Sequence, residues 1–341
     1  MSATTRKTIA IIGATGNQGS SVARTFLSLP SWHVRCLTRS PTSPAALTLQ
    51  SLGAEIIQAD LSSPSSLTAA FKNLHAIFVN TDFWGQYTSD AEGTKNDSLK
   101  SYELEVQHGI NAAKAAAEVD TLERFVYSAL GPMKRASGGK YPHSWHWESK
   151  NAVVEFIESG EVALRGKASF VYLGAYATNA FLVPSLDGDG DVEGGGERYK
   201  FVMPMKREAR MPIIDPAAST GAFVRALVED EEPGVKLLAY DSYLTIGEIV
   251  ELWEKVTGRK AMLESVSTEW MNREMGVPLE VLGGPAFIEE FGYMAGIERW
   301  VEPHQLKEKV ETKSFEEFLR GRDWAEILGS AKAEMDGIKG S

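Results

Sequence analysis

The sequence predicts an α/β protein: a doubly wound parallel sheet with a smaller, mostly helical C-terminal lobe. Three observations carry this reading. Short apolar runs alternate with helical patterns as far as residue 130, those runs lack polar alternation, and a glycine-rich turn joins the first strand to the first helix. Strands that are apolar along their whole length are buried on both faces, as in a parallel sheet covered by helices.

The elements follow in order. TIAIIG (8–13) reads as a buried strand and SVARTFLSL (21–29) as a helix ended by Pro30. WHVRCLTR (32–39) and AEIIQAD (54–60) are the second and third strands. SSPSSLTAAF (62–71) starts a helix with Ser63 as cap and Pro64 in the first helical position. HAIFVN (75–80) is the fourth strand, YELEVQHGINAAKAAAEV (102–119) a long helix and RFVYSA (124–129) the fifth strand. Farther on, NAVVEFIES reads as a helix and SFVYLGAY as a strand. MPIID (211–215), the helix after it and VKLLAYD (235–241) read as a return to the main sheet. YLTIGEIVELWEKVTG carries a capping box in Thr245 and Glu248 with a stop at Gly258, and Ser314 with Glu317 makes a second box before a C-terminal helix. No internal repeat is visible.

Composition removes several functions. The 341 residues are 43% hydrophobic and 24% charged, ordinary for a soluble protein, and the net charge of −11 repels nucleic acid and anionic membrane alike. No basic stripe offsets that field, so direct nucleic-acid binding is not expected. No stretch reaches the roughly 18 apolar residues that span a bilayer. The N-terminus MSATTRK has no signal-peptide apolar region. With one cysteine, Cys36 in WHVRCLT, no disulfide forms within the chain. The expected location is cytoplasmic, with the nucleus as a second compartment, and the expected state a monomer or homodimer. The acidic run DGDGD (187–191) invites a calcium reading. Counted from Asp187, however, the sixth and twelfth loop positions hold Val192 and Arg198, where the EF-hand needs Gly and Glu. A surface loop or substrate lid is expected at 185–198. No His, Cys or carboxylate spacing suggests a metal site.

The chemistry starts at GATGNQG, from Gly13 to Gly19. It follows a strand and opens a helix, the context that turns a glycine pattern into a dinucleotide-binding one. Gly13 permits the tight turn, Gly16 lets the backbone approach a pyrophosphate, and Gly19 lets the helix pack close to the strand. Thr15, Asn17 and Gln18 lie between them at the helix N-terminus, whose N–H groups and dipole favour an anion. At the end of the second strand an NAD-binding protein places Asp or Glu for the ribose 2′-hydroxyl. This chain has Arg39 followed by Ser40. A guanidinium pairs with a 2′-phosphate, so the expected cofactor is NADP(H). Asp60 and Leu61 are placed to reach the adenine, and Asn80 and Thr81 the ribose side, at the carboxyl ends of strands three and four.

GATGNQG together with LTRS, QADL, FVNT and VYSAL resembles the NmrA-like family of atypical short-chain dehydrogenase/reductases, over residues 7 to 325. The likeness includes SVART in the first helix, the H-x-x-x-K spacing of His146 and Lys150, and the Y-x-x-N of Tyr176 and Asn179. It is nearest to the HSCARG-type NADPH-sensor branch. The resemblance implies a Rossmann-type domain that binds NADP(H), over 1–173 with 211–241 returning to it. It also implies a substrate or partner lobe over 174–210 and 242–341. Among such relatives some look like redox sensors acting on regulatory proteins, and others, the isoflavone-reductase-like and triphenylmethane-reductase-like ones, are NADPH-dependent reductases.

Short-chain dehydrogenases generally use a Ser after the fifth strand with Tyr-x-x-x-Lys on the next helix. No Tyr here has Lys four residues on: Tyr127 is followed by Gly131 and Tyr141 by Trp145. His146 and Lys150 keep the spacing, which places both on one helix face, and Ser128 ends the fifth strand. In the reductase relatives a Lys matching Lys150 is associated with proton transfer. Lys150 is therefore read as holding the nicotinamide ribose or, with His146, moving a proton. The bland reading of His146 is a ring packed between Trp145 and Trp147. Phe83 and Trp84 are candidates to stack on a planar substrate, and Tyr176 and Asn179 to contact nicotinamide or substrate. Two functions follow: an NADPH-dependent oxidoreductase acting on a conjugated or aromatic carbonyl or quinone, and, alternatively, a non-catalytic NADPH/NADP sensor of a protein partner such as a transcription factor.

Overall fold

The computed structural model describes residues 6–89, 95–160, 162–187 and 197–329. The acidic run at 188–191, and with it the heart of the loop expected to form a lid, lies outside the described residues.

Strand and helix alternate from the start: β1 (Lys7–Ile12), α1 (Asn17–Leu27), β2 (Trp32–Thr38), α2 (Pro44–Ser51), β3 (Glu55–Gln58), α3 (Pro64–Ala70) and β4 (Ala76–Val79). Next come α4 (Phe83–Thr88), α5 (Ser98–Ala117), β5 (Arg124–Ala129), α6 (Met133–Ala136), α7 (Trp145–Ser159) and β6 (Ala168–Leu173). The chain continues through β7 (Ala175–Tyr176), β8 (Ser185–Leu186), β9 (Arg198–Met203), β10 (Arg210–Ile214), α8 (Pro216–Glu229) and β11 (Lys236–Ala239). Last are β12 (Ser242–Thr245), α9 (Ile246–Thr257), β13 (Lys260–Ser265), α10 (Thr268–Met275), α11 (Leu279–Phe291), β14 (Trp300–Val301) and α12 (Phe315–Arg320).

Two compact units result. The first holds the described residues up to Leu173 with Pro216–Ala239 and Met294–Thr312. The second holds Gly174–Asp215, Tyr240–Tyr293 and the described residues from Lys313 onward.

In the first unit eight strands pair in the order β14-β11-β6-β5-β4-β1-β2-β3, every neighbour parallel. Continuous apolar strands explain this: Ile9–Ile12, Ala76–Val79 and all of β6 are buried. The chain lays down β2 and β3 on one side of β1, then returns to lay β4 on the other. That reversal opens a crevice outside the carboxyl ends of β1 and β4, where ligands of such sheets bind. Helices pack closely through glycine. A Cβ on Gly221 of α8 would lie 2.2 Å from Thr25 Oγ1, and one on Gly109 of α5 would lie 2.3 Å from Val153 Cγ2.

The second unit carries, besides its helices, two three-stranded sheets, β12-β10-β7 and β13-β9-β8. The strand expected at 211–215 belongs here and not to the main sheet. Pro212 has no N–H to donate, and β10 accommodates it where β7 does not reach: β7 pairs only with Ile213 and Ile214, while Pro212 faces Tyr243 of β12. SFVYLGAY likewise splits at Gly174, where a Cβ would lie 2.6 Å from the Pro212 carbonyl oxygen. Only α8 and β11 rejoin the main sheet from that stretch. Residues 294–312, expected in the lobe, rejoin it too, through the two-residue β14. Both capping boxes form, at Thr245 with Glu248 and at Ser314 with Glu317. Ser63 does occupy the N-cap of α3, but its side chain makes no capping bond.

Candidate functional site

The turn after β1 has the shape its glycines require. Gly13 takes φ +75°, and its carbonyl accepts the Gly16 N–H at 3.0 Å. A Cβ on Gly13 would sit 3.0 Å from the Asn80 carbonyl oxygen, so the end of β4 closes against the turn. Gly16 caps α1 in extended conformation without a side chain, and the first intrahelical bond runs from Ser20 N–H to Gly16 O. The N–H groups of the first turn thus stand at the positive end of the helix dipole with no capping side chain from Gly16. Thr15, Gly16 and Asn17 are exposed there; Gln18 and Gly19 are buried. Gly19 admits no side chain, since a Cβ would lie 2.2 Å from Gly13 O. Such a turn, formed from backbone, has the N–H groups and the open space that a phosphate cradle requires.

Arg39 follows β2 directly and is exposed, and its carbonyl oxygen accepts Gln58 Nε2 at 3.5 Å. The Ser40 N–H donates to Thr38 Oγ1. Asp60, just beyond β3, accepts from the Ser62 N–H and hydroxyl, each at 2.8 Å. Partial burial pushes the Asp60 pKa up, but those two bonds and the Arg39 and His108 charges outweigh it and hold the carboxyl below its ordinary range. The Leu61 carbonyl accepts from Asn111 Nδ2 at 2.8 Å, which ties this rim to α5.

Helix α7 carries the other candidates. Lys150 Nζ lies 3.0 Å from the Thr81 carbonyl oxygen, 3.1 Å from Thr81 Oγ1, 3.3 Å from Asn80 Oδ1 and 3.1 Å from Glu105 Oε1. It is thereby held at the carboxyl end of β4, beside the glycine turn. His146, one turn earlier, packs against Trp84 and Phe83, at ring-centroid distances of 4.9 and 5.9 Å. Trp145 meets Tyr102 instead, and Trp147 is buried. Ser128 is buried near the end of β5 and is not among the four partners of the Lys150 ammonium. Tyr176 and Asn179 belong to the second unit; Tyr176 pairs with Ile214, and Asn179 Oδ1 caps a short turn by accepting the Phe181 N–H. Tyr141 has Lys140 over its ring, and His143 is exposed.

Two residues of this constellation, Glu105 and Ser149, escaped the sequence reading, and Tyr127 entered it only as a tyrosine without Lys four residues on. Glu105 Oε1 accepts from Thr81 Oγ1 at 2.6 Å, Glu105 Oε2 accepts from Ser149 Oγ, and Tyr127 OH lies 3.0 Å from Thr81 Oγ1. Burial, reinforced by the Glu105 charge, raises the Tyr127 phenol well above its ordinary pKa. One signal was available. Ser101, Glu105, His108 and Ala112 share the buried face of α5, so a carboxylate stands where the 3.6-residue period calls for an apolar residue. Among the described residues, no group of three or more His, Cys, Asp or Glu could hold a metal, and no helix is long and apolar enough to cross a membrane.

The sequence matches the family model described as the NmrA-like family over residues 5–319. The chain belongs to the NmrA-like family. It is 32% identical over 285 residues to the NmrA-like family domain-containing oxidoreductase hkm9 of Aspergillus hancockii, covering 82% of this chain and 80% of that one. A crystal structure of NmrA, a negative transcriptional regulator, in complex with NADP superposes with TM-score 0.66 at 18% identity, covering 94% of this chain and 99% of that one. A crystal structure of isoflavone reductase gives TM-score 0.67 at 18% identity, covering 93% and 99%. At such identities the structural likeness establishes a shared fold. Within this NmrA-like chain, then, the glycine turn and the Lys150 cluster occupy the crevice of a fold shared by a regulator and a reductase.

Proposed function

We propose that this NmrA-like chain is an NADPH-dependent oxidoreductase that delivers hydride to a conjugated or aromatic carbonyl or a quinone-like small molecule. The observation that carries the reading is the position of the Lys150 ammonium. It bonds to Asn80 and Thr81 at the end of β4, the same segment that closes on Gly13 of the phosphate cradle. A proton donor and a dinucleotide cradle therefore share one strand end.

The residues present fit NADP(H). Gly13, Thr15, Gly16, Asn17, Gln18 and Gly19 form the pyrophosphate seat, and Arg39 with Ser40 takes the 2′-phosphate. Asp60 and Leu61 border the adenine, and Asn80 and Thr81 the ribose. When bound, the cofactor supplies the hydride. Lys150 binds ribose hydroxyls and holds the proton a reduced carbonyl oxygen must receive, Ser128 helps orient that oxygen, and His146 supports the acceptor from one helical turn away. Trp84, 39% exposed beside His146, offers a flat acceptor an aromatic face. The name of hkm9 as an oxidoreductase and the NADP in the NmrA structure support this reading.

The test is NADPH oxidation by purified protein against a panel of quinones and aryl ketones. Turnover is expected with at least one acceptor, and Lys150→Met should lower kcat by about 10²–10⁴-fold. A protein that binds NADPH yet turns over no acceptor would end the enzymatic reading. The second reading, an NADPH/NADP sensor of HSCARG type, draws on the missing Tyr-x-x-x-Lys and on the likeness to a negative transcriptional regulator. Its signature is affinity for a protein partner that changes with the NADPH/NADP ratio.

A further inference from the structure

We propose that Glu105 is a positioning residue for Lys150: a fully buried carboxylate that holds the ammonium at the carboxyl end of β4 for its work on the cofactor ribose and the acceptor proton. This rests on the role given to Lys150 above and deepens it.

Glu105 is 0% exposed, on a helix whose buried face is otherwise mostly small and apolar. A carboxylate survives in such a place only when its oxygens are met by donors. Three donors meet these: Thr81 Oγ1 and Lys150 Nζ at Oε1, and Ser149 Oγ at Oε2. They come from two elements, the end of β4 and α7, so the carboxylate ties both to α5.

The hydrogen bonds have one consistent direction. The Thr81 hydroxyl has a single proton, and the 2.6 Å contact assigns it to Glu105. Thr81 Oγ1 is then an acceptor toward both Lys150 at 3.1 Å and Tyr127 at 3.0 Å, so Tyr127 donates. The elevated pKa of that phenol agrees with a permanent donor. Around Lys150 Nζ stand four acceptors for the three protons of an ammonium: the Thr81 carbonyl, Thr81 Oγ1, Glu105 Oε1 and Asn80 Oδ1. The set has one acceptor to spare. The bond to Asn80, at 3.3 Å, is the longest and lies on the side of the glycine turn. It is the bond most readily exchanged for a ligand hydroxyl while Glu105 and Thr81 keep hold of the nitrogen. An ion pair serving stability alone has no need of such a set, since apolar residues of similar volume would serve as well.

The experiment is a double-mutant cycle with Glu105→Gln and Lys150→Met. Each variant is measured for the Kd of NADPH by fluorescence titration and, where the parent turns over, for kcat and KM. Circular dichroism melts confirm that each is folded at the assay temperature. Glutamine keeps the shape, can present its oxygen to Lys150 and Thr81 and its amide to Ser149, and removes only the charge. If Glu105 acts through Lys150, each single variant weakens NADPH about tenfold or more, and the double variant is no worse than Lys150→Met. On turnover at saturating NADPH the same non-additivity appears in kcat, with the KM of the acceptor little changed. Losses that multiply in the double variant, or a Glu105→Gln protein within about twofold of the parent while Lys150→Met is impaired, overturn the positioning role and leave the function of Lys150 standing. A folded Lys150→Met protein equal to the parent in both readouts overturns the role of Lys150 itself and this inference with it.

Discussion

Consider alanine at Gly19. Its methyl carbon would lie 2.2 Å from Gly13 O, 2.5 Å from Gly13 C and 2.8 Å from Ala14 Cα. All three are backbone atoms, so no side-chain rotation relieves the overlap, and the start of α1 must move off the turn by about 1 Å to regain ordinary contact. Forced overpacking of this kind costs about 1–3 kcal/mol. Alanine's helix preference returns up to about 1 kcal/mol. Because all three overlaps are with backbone, the overpacking cost falls in the upper part of its range, about 2–3 kcal/mol. The net loss of roughly 1–3 kcal/mol lowers the melting temperature by about 2–12 °C, at 2–4 °C per kcal/mol for a unit of this size. Gly16 supplies the control within the same turn. There a methyl carbon would lie 3.4 Å from Gly13 O, an acceptable contact, at φ −90°. Gly16→Ala should melt within about 0.5 kcal/mol of the parent yet lose NADPH affinity, because the methyl enters the space of the phosphate. The assays are thermal denaturation and fluorescence titration of NADPH. If Gly19→Ala melts like the parent, or Gly16→Ala melts below it, the assignment of the two glycines to packing and to phosphate approach is wrong.

Two further outcomes are expected. Arg39→Ala should weaken NADPH by about 10–150-fold, the worth of a charge-assisted bond, and NADH by less than about threefold; an equal loss for both cofactors removes the 2′-phosphate assignment. The Asp60 carboxyl titrates below its ordinary value of 3.8 in the folded protein. Its contribution to stability is therefore complete above the unfolded pKa and disappears as the pH falls through the lower, folded one. Between about pH 5 and pH 3, Asp60→Asn should lose less stability than the parent, and identical slopes in urea denaturation would contradict the bond to Ser62.

How far the sequence could be read depended on whether the signal was local. Gly13, Gly16 and Gly19 are legible because a turn between strand and helix is a matter of neighbouring residues and backbone angles. The capping boxes at Thr245 and Ser314 are legible for the same reason. The pairing of β10 was not: Pro212 argues against a wide sheet, but its partner Tyr243 lies 31 residues on and is chosen by packing. β14 was invisible because two residues have no periodicity. In the site, Lys150 could be found from its spacing to His146. His146 itself turned out to face Phe83 and Trp84, which are adjacent in sequence to each other but remote from it.

The sequence alone determined the parallel sheet, the glycine turn after β1, the basic residue after β2 and the absence of Tyr-x-x-x-Lys, since each is written in residues a few positions apart. The tertiary structure alone decided what surrounds Lys150. Thr81, Glu105, Tyr127 and Ser149 come from four elements, and one-dimensional spacing has no term for the 3.1 Å between Lys150 and Glu105, which are 45 positions apart. A charge pair buried between helices is fixed by the packing of α5 on α7, and that packing exists only once the sheet beneath them has formed.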